Sequence, residues 1–272
     1  MPRRRRRHLA AALLALLAAQ AALSHGAGGQ DMLRHVDLAS PRMSEAELTR
    51  EQVAAILGAA TAEKPADLRD KSLNGLDLSG LDLTNADLRW ARLNRANLKG
   101  ARLVGARMEL AWAMEADFSG ADLGGAQLFQ AQLQRARLDG ADLSGARILA
   151  NFDGASLRAA KLVEAQGAPD MRNQSMGLTR AIFRGAMLEG ADLTGAKLGR
   201  ADLEFARLAG AVLEQADLTR AALGGADLTG ANVAGLDLAD ADLTSTILRD
   251  LVGEEQLRGL ESARNLERAY TN

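Results

Sequence analysis

Ala191-Asp192-Leu193-Thr194-Gly195 recurs unchanged as Ala226-Asp227-Leu228-Thr229-Gly230, and the same grammar repeats every five residues between them. The phase holds from Ala181 to Leu248 and, earlier, from Ala86 to Ile148. Each unit opens on a small residue, continues with a polar one, places a large apolar residue third and closes on two turn-type residues. A period this strict is a structural instruction.

The unit explains itself locally. In Leu193-Thr194-Gly195-Ala196 the glycine stands third of four, where a type II turn needs positive φ. Strand alternation puts Ala191 and Leu193 on one side and Asp192 on the other. A corner after every Leu closes a squarish coil of about twenty residues, and coils stack at ~4.8 Å. Ala and Leu fill a narrow interior, while Asp, Arg and Thr face water.

Roughly 34 such units can be counted, all apolar at the third position, with Phe118, Phe152, Phe183, Met108, Ala113, Ile148 and Val233 varying the Leu theme. Each buried Leu is worth about 1.5–3 kcal/mol. The pattern resembles the pentapeptide-repeat family, whose motif is A(D/N)LXX, over about residues 66–250. The resemblance implies an all-β fold, a right-handed quadrilateral β-helix, here expected with short N- and C-terminal capping helices. Leucine-rich and hexapeptide repeats have the wrong period.

Composition agrees with a solenoid. Aromatic residues are 3% of the chain, too few for an ordinary globular core, and there is no cysteine for a disulfide or thiolate metal site. The formal charge is −2. Without Arg3 to Arg7 it would fall to about −7.

Those arginines open residues 1–29, which have the layout of an export signal. Leu9 to Leu23 form the apolar stretch, and Ala19-Gln20-Ala21 or Ala22-Leu23-Ser24 a small-residue cleavage site. The apolar run is shorter than the ~20 residues of a membrane span. The chain is therefore expected outside the cytoplasm, periplasmic or secreted, by the general or the twin-arginine route, with no stable span after cleavage. Residues 30–65 are expected to hold a linker and an N-terminal capping helix. Its start is Ser44 with Glu47 or Thr49 with Gln52, its apolar stripe Leu48, Val53, Ile56 and Leu57, and its end Pro65. Residues 251–272 are expected to form a second capping helix, with Leu257, Leu260, Leu266 and Tyr270 on one side. Some members of the resembled family dimerise through such a helix, so the chain is expected to be a monomer or a dimer joined there.

The phase breaks once. Ala146-Arg147-Ile148-Leu149 is one residue short, and the motif lapses over 166–180 before returning at Ala181. We read 166–180 as a loop or a distorted coil; in quinolone-resistance members of the resembled family, projecting loops matter for activity.

Chemistry is sparse on the repeat. His8, His25 and His35 lie outside it, which removes nucleophile–histidine and histidine–metal sites there. Asp192, Asp202, Asp217, Asp227 and Asp242 read as solvated outward carboxylates. Neither a phosphate-cradling loop nor a calcium loop is recognisable, so no catalytic residue, cofactor or metal ligand is assigned. The departures worth noting are apolar residues at outward positions: Trp90, Leu110, Trp112, Met114, Phe129 and Leu149 fall on one edge if each coil takes twenty residues. Such an edge marks either a partner site or a surface covered by the loop or an end helix. Charge is sorted too, basic over 86–107 and acidic over 186–243, a field able to orient a partner.

These features point to an exported, non-enzymatic binding or scaffold protein whose partner is another protein. A second reading comes from the resemblance, since its best-understood members mimic B-DNA and bind DNA gyrase. Here the export signal and the charge oppose it. Residues 66–250 carry a net of about −4, whereas duplex DNA of the rod's ~40 Å length carries roughly 24 negative charges. No nucleic-acid partner is expected. A third reading, a cryptic carbohydrate binder or carboxylate-based enzyme, has only the outward Asp and aromatic residues behind it.

Overall fold

The computed structural model describes residues 37, 40–169 and 180–271. The chain divides into two compact units, Met1–Leu38 and Ala39–Asn272, and the second carries the repeat. The expected export signal at 1–29 lies outside the described residues, as does the stretch 170–179 of the expected loop.

Every fifth residue bridges the residue one coil above it. Asp67, Asp87, Arg107, Gln127 and Arg147 form one such column, and three more columns complete the four faces of a β-helix. The pairing is reciprocal: Leu88 N–H donates to the Arg107 carbonyl (2.7 Å) and Arg107 N–H to that of Ala86 (2.9 Å). Inside, the first and third positions of the units are buried almost without exception. Thr246 occupies one of these inward first positions, fully buried, and its hydroxyl donates to the Leu223 carbonyl at 2.9 Å. A buried hydroxyl without that partner would be costly.

The corners adopt the turn expected from the sequence. Ala196 N–H returns to the Leu193 carbonyl (3.0 Å) with Gly195 at φ +64° between them. One corner carries glycine through much of its height, at 80, 100, 120, 140, 190, 210 and 230. The corner running through Trp90, Leu110 and Gln130 carries side chains instead, in the same left-handed conformation.

The one-residue slip is real and local. Gln127 pairs with Arg147, but Gln132 pairs with Asn151, nineteen residues on. Ala150 N–H closes on the Ile148 carbonyl (2.7 Å), tightening that corner to absorb the missing residue. The next coil resumes across the interruption: Asn151 pairs with Ile182, thirty-one residues away.

At the N-terminal end, α1 (Pro41–Ser44) leads to α2 (Arg50–Gly58). Of the two expected capping boxes, Thr49 with Gln52 is the one formed. Leu48, Val53, Ile56 and Leu57 pack on the core as expected. The helix stops at Gly58 rather than at Pro65, because a tight turn between Thr61 and Lys64 already redirects the chain. The first coil's edge is covered by the chain itself, with Ala46 bridging Leu73 in antiparallel fashion.

The expected C-terminal helix is absent. Residues 251–271 instead make one more coil, built from three single 3-10 turns, Glu254–Gln256, Leu260–Ser262 and Leu266–Arg268. Each turn is preceded by a left-handed residue, Gly253, Gly259 or Asn265, which no continuous α-helix accommodates. Val252, Arg258 and Arg264 bridge the coil below, and β1 (Ile247–Leu248) pairs in parallel with β2 (Tyr270–Thr271). The unit has lengthened from five residues to six. Leu257, Leu260 and Leu266 pack on the core from this coil, so the apolar pattern is sound but its period is not helical. A dimer joined by a C-terminal helix has no such helix to use.

Candidate functional site

Five of the six apolar edge residues reach the surface together. Trp90 N–H donates to the Glu109 carbonyl (3.1 Å), Leu110 N–H to Phe129 (2.9 Å) and Gln130 N–H to Leu149 (2.8 Å), so these residues climb one corner in successive coils. Trp112 stands on the adjoining face, bridged to Arg92 below and Gln132 above. Met114 comes two residues later, its N–H held by Asn94 Oδ1 at 3.1 Å. Trp90 is 47% exposed, while Leu110, Trp112, Met114 and Phe129 are half-buried. Leu149 does not belong with them: it is 4% exposed, drawn inward where the slip tightens the corner.

Trp90 and Leu110 occupy the left-handed position of their turns, at φ 59° and 60°. A bulky residue there is strained by about 1 kcal/mol or more, and the equivalent residues at another corner are glycine. Two unfavourable choices coincide on one edge, backbone strain and exposed apolar surface.

Several flanking charges pair within the chain, while Arg92 Nε, Glu109 Oε2 and Gln134 Oε1 are buried without a hydrogen-bond partner among the described residues. Arg89 makes two hydrogen bonds to Asp87, at 2.8 and 2.6 Å, and its guanidinium lies 5.6 Å from the Trp90 ring centroid. Partial burial works against ionising Asp87, yet the Arg89 hydrogen bonds hold its carboxyl below the usual range. Arg92 is nearly buried and pairs with Asp70 at 2.7 Å; Arg95 pairs with Glu115 at 3.0 Å. Three glutamines form an amide chain beside Trp112, Gln134 Nε2 donating to Gln132 Oε1 (2.8 Å) and Gln132 Nε2 to the Gln130 carbonyl (2.9 Å). Sequence reasoning misses these amides, although their polar, uncharged run is visible at 127–134.

The N-terminal segment covers the same face lower down. Asn74 Nδ2 donates to the carbonyls of Arg42 and Glu45, and Asn94 Nδ2 to that of Met43 (3.2 Å). Asparagine at the fourth position of two successive coils is the signal for it.

A second cluster corrects the reading of Asp202 as a solvated carboxylate. It is 3% exposed and accepts from Arg180 (3.0 Å) and Arg184 (3.1 Å), and Arg184 also reaches Glu204 at 2.8 Å. Arg180 stands at the end of the sequence interruption, just before the repeat resumes at Ala181, a pairing that spacing alone does not predict.

Among the described residues, no group of three or more His, Cys, Asp or Glu side chains could hold a metal ion. Among them, too, no helix is long and apolar enough to cross a membrane.

A four-faced β-helix whose columns repeat every twenty residues or so defines a repeat solenoid. A family model described as pentapeptide repeats matches eight copies over residues 66–111, 114–148, 178–200, 196–233 and 223–251. The chain belongs to the pentapeptide-repeat family.

Among solved structures, the chain is similar to HetL, a pentapeptide repeat protein involved in heterocyst differentiation regulation from the cyanobacterium Nostoc. The two are 29% identical over 82% of this chain and 94% of that one, with a TM-score of 0.48. It is also similar to QnrB1, a plasmid-mediated fluoroquinolone resistance protein, at 14% identity over 76% and 91% of the two chains and a TM-score of 0.41. A pentapeptide repeat protein from the Arabidopsis thaliana thylakoid lumen shares 29% identity over 49% of this chain and 69% of that one, with a TM-score of 0.25. No curated protein matches.

Proposed function

We propose that the protein is an exported, non-enzymatic scaffold that presents a rigid β-helical rod to another protein, in the periplasm or outside the cell. The observation that carries this is the edge made by Trp90, Leu110, Trp112, Met114 and Phe129. Trp90 and Leu110 hold left-handed turn positions that glycine would fill without strain, and Trp90 is the most open of the five. A residue kept against both local costs is better explained by a contact than by the fold. Export rests on the sequence of residues 1–29 alone.

The test is capture from an envelope extract by the wild-type chain and by Trp90→Gly. Glycine relieves the backbone at that position, so stability should hold while capture of the partner is lost. Equal capture by both chains would remove the edge from the function.

A further inference from the structure

We draw no further inference here: the strongest candidate, the apolar surface patch of Trp90, Leu110, Trp112, Met114 and Phe129 at one corner of the β-helix and its adjoining face, belongs to the site already described, and nothing in the structure shows what covers it.

Discussion

The ring of Phe152 lies on that of Phe183, centroids 4.8 Å apart and planes 1° from parallel, across an interruption in the sequence. Their separation equals the spacing of stacked strands, so the interior does not register the residues that intervene. Phe183→Ala should therefore be among the most damaging core truncations, on the order of 3–5 kcal/mol. Chemical denaturation checks it. A loss no greater than that of Ile148→Val would place the interruption inside the core after all.

Leu203 and Asp202 are neighbours with different environments. Leu203→Asp puts an unpaired charge in the dry interior, and the chain should fail to fold. Asp202→Ala removes the common acceptor of Arg180 and Arg184. Both arginines keep some access to water, so the cost should be about 1.5–3 kcal/mol. Melting of the two variants gives the order, with Asp227→Ala as the comparison, its carboxylate half-buried and bonded only to Thr229 among the described residues.

The last coil can be told from a helix by one glycine. In an α-helix, Gly259→Ala would stabilise by about 1 kcal/mol. Here Gly259 has φ +69°, and an added Cβ would meet the backbone nitrogen of Ala239 at 2.5 Å. The variant should lower the melting temperature and speed amide exchange in residues 252–271. A rise in helical circular dichroism would contradict the coil.

Asp67 provides a pH marker at the N-terminal end. The Arg69 guanidinium, donating at 2.8 and 2.6 Å, lowers its carboxyl to about 2. A depressed carboxylate stabilises the fold at pH values above its unfolded pKa of 3.8 and loses that contribution as pH falls toward 2. Arg69→Gln should return the Asp67 midpoint toward its ordinary value in a carboxyl NMR titration. An unmoved midpoint would mean that another group holds it.

The coil is legible in the sequence because each unit states its own alternation and corner, as Leu193 to Ala196 do. The slip at Ala146–Leu149 is legible for the same reason, being a change of count. Less can be read where two periods share residues. Leu257, Leu260 and Leu266 satisfy a helical stripe as well as a six-residue coil, and only the left-handed Gly253, Gly259 and Asn265 decide between them. Counting by twenties puts Leu149 on the edge and ignores the tightening that its own short unit imposes. The outward direction of Asp202 says nothing of Arg180, which reaches it from just before the repeat resumes at Ala181.

The bridged columns give every surface residue an address of two coordinates, a face and a level. Twenty residues added between Arg69 and Trp90 would raise the tryptophan one level from the N-terminal helices without turning it. Five would turn it a quarter of the way round the rod. The short unit at Ala146–Leu149 deletes a residue and changes neither coordinate of the units after it, since Asn151 still stands above Gln132. Bearing and height can thus vary independently along this chain, and a partner that reads Trp90 and Trp112 together is reading both.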